Sequence, residues 1–566
     1  MSADKKTLPL QPSAKHVRGI RLIGWIKELL LPLLILWTSF TFYLTTNSFS
    51  FHRASVLIVL GGMLLFAAFV SVLKMTGARV WHTLIIAGLI TLFIDTEFQT
   101  MVEINKYSLL AVFLGIFVLF LKWQENSYHI MTVVFSTCLV STLTLPILMR
   151  SEAEVPFAVS TANAAHRPLP RIIHLILDEH VGVEGIPTGL ESGQAIKDKI
   201  LGFYQQYGFY VYGKAFSHYA STYNAVPNAL NFSAEAENRP FLTGTHFPFK
   251  LQSNKYFTIL SQRHYQVNVH GSGTIDFCPG NPILVHSCHE YAGLATGVIA
   301  DLNLPVADQL RVIFAGYLNR SIRYQRIRSF YQSMQPRLIS QGIPLPAWTW
   351  DTYVVPYAAN TMAALAHLSE DILAMPPGSV MFAHLLLPHF PYVYKEDCST
   401  HASLQEFKSR TLTFEGTHQM NGYDNTIKSR EERYRLYFQQ LQCLYVRLEE
   451  LFQRMQAAGI FEDSIIILHG DHGSRIGLHD AYFENFDVLS KEDYTDAFST
   501  LFAVKLPGKS GGYDLSIRPL ENLLAEAIKV PIESAATPAT TDSEPFVYLK
   551  SKTGKDLVRV FYLPAS

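Results

Sequence analysis

The sequence predicts two structures in one chain: an N-terminal bundle of five transmembrane helices, then an α/β domain with a mainly parallel sheet. Three observations lead there. Charge is unevenly spread, for of 93 charged residues in 566, residues 1–22 hold 6, residues 23–150 hold 12 and residues 151–566 hold 75. The charge-poor stretch breaks into five apolar runs. The remainder contains short continuous apolar segments, each followed at once by acidic or histidine side chains. A chain that is 49% hydrophobic and 13% aromatic is neither disordered nor collagen-like.

A hydrocarbon core of about 30 Å needs roughly 20 mostly apolar helical residues. Leu29 to His52 and Ala54 to Leu73 meet that length, and Tyr128 to Met149 closes the set before Arg150. Val80 to Ile94 and Tyr107 to Leu121 are shorter, and either alone reads equally well as a buried core helix. Five in succession, divided by short charged loops, read as spans. Trp37, Trp81, Trp123 and Tyr128 lie near their ends, where an aromatic belt belongs. The tail carries Lys5, Lys6, Lys15, Arg18 and Arg21, which puts residues 1–22 in the cytoplasm and, after five crossings, everything past Arg150 outside it. The first run lacks a small-residue cleavage site, so it is expected to stay as an anchor. Four of five cysteines fall in the exported part, and Cys278 and Cys288 bracket a loop that a disulfide can close there.

A linker (151–170) precedes the domain expected over 171–566. Arg171 to Leu177, Val380 to Leu387 and Ser464 to Leu468 are continuous apolar runs, the pattern of strands buried on both faces. Between the last two, Tyr437, Leu441, Leu444, Leu448, Leu451 and Met455 recur at helical spacing within Arg430 to Ala458. Strand, helix, strand with buried strands is a parallel α/β sheet, and such sheets bind ligands at the carboxyl ends of their strands. Those ends read Asp178-Glu179-His180, Pro388-His389-Phe390-Pro391-Tyr392 and His469-Gly470-Asp471-His472-Gly473. Singly, an acid after a strand is commonly a helix cap and a lone histidine a hydrogen-bonded core residue. Three such sets at one sheet edge suit a zinc ion, which takes carboxylate oxygen and imidazole nitrogen together. A metal there can activate a nucleophile and neutralise a phosphoryl oxygen. The polar segment His218 to Asn228 offers the hydroxyls of Ser221 and Thr222, and periodicity does not choose between them.

These residues resemble the sulfatase-like branch of the alkaline phosphatase superfamily, and within it the membrane-anchored phosphoethanolamine transferases that modify lipid A. The resemblance implies a sulfatase-like α/β domain behind five spans. It rests on four segments. Gly470-Asp471-His472-Gly473 matches the family's Ser-Asp-His-Gly and makes Asp471 and His472 metal ligands. Glu179 matches the metal-binding Glu at the end of the first strand, while Asp178 matches a metal acid only in sulfatases proper. Thr222, five residues before Pro227, matches the nucleophile and metal-bound hydroxyl, with Ser221 as the fallback. His384-Leu-Leu-Leu-Pro-His389-Phe-Pro391 matches His-x-x-x-x-His-x-Pro, which gives His389 a substrate-side or second-metal role, and His479 matches the histidine shortly after Asp-His-Gly. The Cys278–Cys288 loop resembles a disulfide loop of that family. There are departures. His180-Val181-Gly182 stands where the family has Thr-x-Arg, and Ala220 and Asn228 stand where cysteines flank its nucleophile. No Cys-x-Pro-x-Arg motif occurs, so sulfate-ester hydrolysis is not expected.

The expected activity is that of a metal-dependent phosphotransferase of the inner membrane. It carries one or two zinc ions or another divalent metal, takes a headgroup such as phosphoethanolamine from a membrane phospholipid donor onto phospho-Thr222, and passes it to an envelope lipid or glycan acceptor. His389 and His479 act on phosphoryl oxygens or the leaving group. The alternatives are a sulfatase-like phosphodiesterase or phosphoglycerol transferase, and a non-catalytic envelope scaffold. The partners expected are the lipid bilayer and these substrates, with no nucleic acid, since no basic nucleic-acid patch or phosphate-cradling Gly-rich loop stands out; the chain is expected to be a monomer. Ser534 to Ser543 reads as a loop, and Phe546 to Leu549 with Leu557 to Leu563 as a closing pair of strands.

Overall fold

The structure, a computed structural model, describes residues 14–47, 49–98, 105–149, 169–234, 249–251, 253–272, 274–278, 284–291, 304–343, 357–401, 427–529, 544–551 and 556–561. Most of the linker and the loop at 534–543 lie outside them. The chain divides into two compact units, residues 1–155 with 305–353, and residues 156–304 with 354–566.

The first unit opens with five helices, α1 (Ala14–Thr46), α2 (Ala54–Met75), α3 (Arg79–Glu97), α4 (Lys106–Lys122) and α5 (Gln124–Met149). Four contain stretches long and apolar enough to cross a bilayer: Glu28–Thr46 of α1, all of α2 and α3, and Gln124–Thr144 of α5. With 17 residues, α4 rises about 25 Å, so the count of five spans is approximate. The bundle has an apolar core (Leu31, Ile35, Ile86 and Phe120 among it) that also encloses polar side chains, and its outer surface is apolar too. His82, Thr83 and Asp95 are buried, while Leu65 is 73% and Val133 66% exposed, the reverse of a water-soluble bundle. At one end Lys74 pairs with Glu28 and Arg79 Nε donates to Gln124 Oε1 at 2.5 Å, with Trp81 and Trp123 exposed beside them.

Beyond the linker come β1 (Arg171–Leu177), α6 (Gly193–Gln206), β2 (Tyr210–Phe216), α7 (Thr222–Leu230), β3 (Phe249–Lys250), α8 (Lys255–Gln262), β4 (Gln266–Gly271), β5 (Ile275–Asp276) and β6 (Ser287–Glu290). Then follow α9 (Val306–Asn319), α10 (Ile322–Ser340), α11 (Tyr357–Ala374), β7 (Ser379–Leu385), α12 (Ile427–Ala457), β8 (Ser464–His469) and α13 (Lys491–Phe498). The chain closes with β9 (Phe502–Lys505), β10 (Gly512–Pro519), α14 (Leu520–Ala527), β11 (Phe546–Lys550) and β12 (Leu557–Phe561), the last two strands an antiparallel pair.

Eight strands form one sheet in the order β10-β2-β9-β8-β1-β7-β4-β6. All neighbours are parallel except β9, which runs against β2 and β8. The three apolar runs are its centre. Ile176 of β1 lies opposite His384 of β7 and His469 of β8, so the three strands finish level and their next residues share one edge. In α12 the residues Tyr437, Leu441, Leu444, Leu448, Leu451 and Met455 are all buried, as their spacing predicts. Disulfides join Cys278 to Cys288 and Cys398 to Cys443.

The sequence-based domain of 171–566 is interrupted. Residues 305–353 group with the N-terminal helices. Tyr317 of α9 packs edge-on against Phe40 and Tyr43 of α1 at 5.6 and 5.7 Å. Arg320 pairs with Glu97, Ser321 donates to Asp95 Oδ2 at 2.6 Å, and Ser55 donates to Gln309 Oε1 at 2.8 Å. The carboxylates that bind this segment lie some two hundred residues away in sequence, so local pattern could not reveal it.

Candidate metal centre

The last residue before the turn out of β1 is Asp178. Its carboxylate is buried, with Oδ2 at 3.2 Å from His384 Nε2 and 3.5 Å from Thr222 Oγ1, and Oδ1 at 3.9 Å from His472 Nε2. Thr222 is the first residue of α7, so its hydroxyl stands at a helix N-terminus, 3.2 Å from His472 Nε2. From β8 come Asp471 and His472, with Asp471 Oδ2 3.3 Å from His472 Nε2. Close packing sets this turn: a Cβ on Gly470 would meet the His180 carbonyl at 2.4 Å, and one on Gly473 the Asp496 carbonyl at 2.3 Å. The Gly473 carbonyl accepts from His472 Nδ1–H at 2.9 Å, which leaves Nε2 bare and directed at the cluster.

Glu179 goes elsewhere. It adopts φ +65°, a left-handed conformation uncommon outside glycine, and so turns away from its neighbour. Its carboxylate accepts from Arg475 Nε at 2.9 Å and from the Phe390 N–H at 3.3 Å, with His389 Nε2 at 3.7 Å. Only its backbone N–H reaches the cluster, donating to Asp471 Oδ1 at 3.1 Å. The geometry brings Asp178, the further acid that sequence reading named, into the cluster, and sets Glu179 beside it with Oε1 on Arg475 and Oε2 on the Phe390 N–H. His384, which sequence reasoning passed over, joins instead, held by Ser272 Oγ at 2.9 Å from its Nδ1. The signal for it was its place in β7, level with the end of β1.

The cluster is built for a cation. Asp178 Oδ1, Asp471 Oδ2 and His384 Nε2 are buried without a hydrogen-bond partner, and Asp178, His384 and Asp471 each offer a ligand atom within 4.8 Å of the others. Buried polar atoms are seldom left unpaired, so three converging on one point fit a divalent metal of mixed oxygen and nitrogen preference. The electrostatics agree. Burial and the neighbouring Asp471 charge push the Asp178 carboxyl up to about 7, while His472 and His384 hold Asp471 down against burial. Burial also lowers His384 to about 4, which keeps it a neutral, ligating ring.

His389 stays with Glu179 and stacks on Phe390. His479 lines a neighbouring pocket of about 230 Å³, together with Tyr219, Ser221, Tyr223, Arg475 and Tyr548. There its Nδ1 lies 3.0 Å from Asp493 Oδ2. Thr222, Asp471 and His472 lie together in the cluster, while Glu179, His389 and His479 lie around it.

No family model matches the chain. Over 93 residues it is 32% identical to lipoteichoic acid synthase 1 of Bacillus subtilis, covering 16% of this chain and 13% of that one. Over 138 residues it is 28% identical to the lipoteichoic acid synthase of Staphylococcus aureus, covering 24% and 18%. The segments matched span less than a fifth of those relatives. Among solved structures, the periplasmic domain of EcEptC from Escherichia coli in complex with Zn is similar to this chain with TM-score 0.38 and 11% identity, over 71% of this chain and 94% of that one. The lipoteichoic acid synthase LtaP of Listeria monocytogenes is similar with TM-score 0.34 and 11% identity, over 70% and 86%.

Proposed function

We propose that the protein is a membrane-bound, zinc-dependent phosphotransferase that carries a phospholipid headgroup, phosphoethanolamine foremost, on Thr222 and delivers it to an envelope lipid or glycan. The observation that carries this reading is the Thr222 hydroxyl at a helix N-terminus, 3.2 Å from His472 Nε2 and 3.5 Å from Asp178 Oδ2, beside three orphaned ligand atoms. In this reading residues 1–22 are a cytoplasmic tail, residues 23–150 cross the inner membrane, and the sheet unit works in the periplasm.

Asp178, Asp471, His472 and His384 hold the metal with Thr222. Zinc, when bound, supplies positive charge that favours an ionised Thr222 and offsets charge on a phosphoryl oxygen. Thr222 Oγ, having lost its proton to water, forms a bond to phosphorus. The bond from phosphorus to the diacylglycerol oxygen breaks, and that oxygen takes a proton from His479, which Asp493 holds in the pocket. An acceptor hydroxyl then attacks the phospho-Thr222, gives up its proton and restores the threonine. The α7 N-terminus favours the anionic phosphoryl group throughout. Glu179 holds Arg475 against the pocket wall, where its positive charge favours a phosphate group.

A second reading, transfer of phosphoglycerol, is favoured by the likeness to the two lipoteichoic acid synthases. Intact-mass analysis of the zinc-loaded full chain, incubated separately with phosphatidylethanolamine and phosphatidylglycerol, tests both. A phosphoethanolamine adduct mapping to Thr222 is expected. A glycerophosphate adduct instead favours the second reading, and no adduct from either lipid with zinc bound overturns the covalent mechanism.

A further inference from the structure

Helix α10 has a face with no role in the metal centre. Between Gln309 and Ile343 the chain carries six arginines and no aspartate or glutamate. Arg320 and Arg323 turn inward to Glu97 and Asp95. Arg326 and Arg337 are exposed, Phe330, 65% exposed, stands between them on the same face of the helix, and Ile327, 60% exposed, borders that face. Ile339, Ile343 and, from α9, Phe314 add further exposed apolar surface. Large apolar groups interleaved with arginine, and with no acid among them, are unsuited to bulk water. They suit the boundary between acyl chains and anionic headgroups, where the rings enter the bilayer and the guanidinium groups meet phosphate.

Position supports the same occupant. The contacts of α9 and α10 are with Phe40 and Tyr43 near the end of α1, Ser55 at the start of α2, and Asp95 and Glu97 at the end of α3. These residues mark one end of the bundle, opposite the end with Lys74, Arg79 and Trp123. At this same end the start of α2 exposes Leu57, 55%, and Ile58, 52%. We propose that α10 is an interfacial helix that lies on the bilayer at this end of the bundle and binds anionic phospholipid headgroups through Arg326 and Arg337, with Ile327 and Phe330 inserted among the acyl chains. This rests on the N-terminal helices crossing a membrane and is independent of the chemistry at Thr222.

The test uses the full chain in nanodiscs, with Cys138→Ala to remove the free thiol and an environment-sensitive fluorophore on Phe330→Cys. A second label on Val133→Cys reports on the span itself. Lipids spin-labelled near the headgroup are expected to quench the label at 330 in discs containing phosphatidylglycerol. Quenching there is expected to fall about threefold or more in pure phosphatidylcholine or in the Arg326→Glu/Arg337→Glu variant. If deep quenchers reach 133 but no lipid quencher reaches 330, the proposal is overturned, whereas an unquenched 133 removes the spanning reading on which it rests. Equal quenching at 330 in both lipids and in the charge-reversed variant overturns the role of the arginines. A label at 330 that responds to added copies of the protein rather than to lipid makes the face a protein contact and overturns the proposal likewise.

Discussion

Asp178 and Glu179 are adjacent, acidic and equally buried, yet the backbone separates their work. The positive φ at Glu179 sends one carboxylate to His384, Thr222 and His472 and the other to Arg475 and His389. Side-chain type and spacing cannot distinguish two neighbours that differ by a turn of the main chain, and for this reason the sequence pointed to Glu179. Asp471, His472 and Thr222 were legible because their motifs fix residues on single short turns. His384 was not, since it matters only once β7 is laid against β1. Exchange of each acid for its amide tests the assignment. Asp178→Asn is expected to lower zinc affinity about tenfold or more, and Glu179→Gln by about threefold or less, read by chelator competition. The reverse order would restore Glu179 as the ligand.

At the level of elements, the central strands and α12 were readable because burial imposes a pattern on consecutive residues. The edge strand β10 was not, since most of its residues are half-buried or exposed and carry little pattern. The α9–α10 segment escaped because its partners are carboxylates at the far end of α3. A small helix illustrates how an element supports the site. Ser490 caps α13 by accepting from the Asp493 N–H at 3.1 Å, while Asp493 accepts from the Ser490 N–H at 3.0 Å and also holds His479. Ser490→Ala is expected to cost about 1 kcal/mol of stability, seen as a lower melting temperature. It is also expected to weaken turnover through a less firmly held His479 while zinc binding stays unchanged.

For the whole molecule, the sheet unit encloses neutral histidines. His174 and His180 are completely buried, and burial holds both below the ordinary range, His180 at about 4. An unfolded chain takes up protons at these rings near pH 6.5, well before the folded one does, so stability is present above that value and is lost as pH falls toward 4. Each ring contributes up to about 1.4 kcal/mol per pH unit in that window. The melting temperature is expected to drop from pH 7 to pH 5, with the raised Asp178 carboxyl acting the other way in the same window, and a slope unchanged by His180→Gln would mean that this ring is charged in the fold.

The return of the chain to its first unit at residues 305–353 also bears on shedding. A domain tied to the membrane through one linker is released by one cut. Here, a protease site placed at residue 160 would sever the sheet unit from α5, but its own polypeptide still runs into α9 and α10, where Tyr317 is wedged against Phe40 and Tyr43. The cleaved fragment is expected to remain with washed membranes, and its release by that single cut would mean that residues 305–353 do not hold it. The chain passes between its two units more than once, so one cut in the linker leaves the sheet unit covalently joined to α9 and α10.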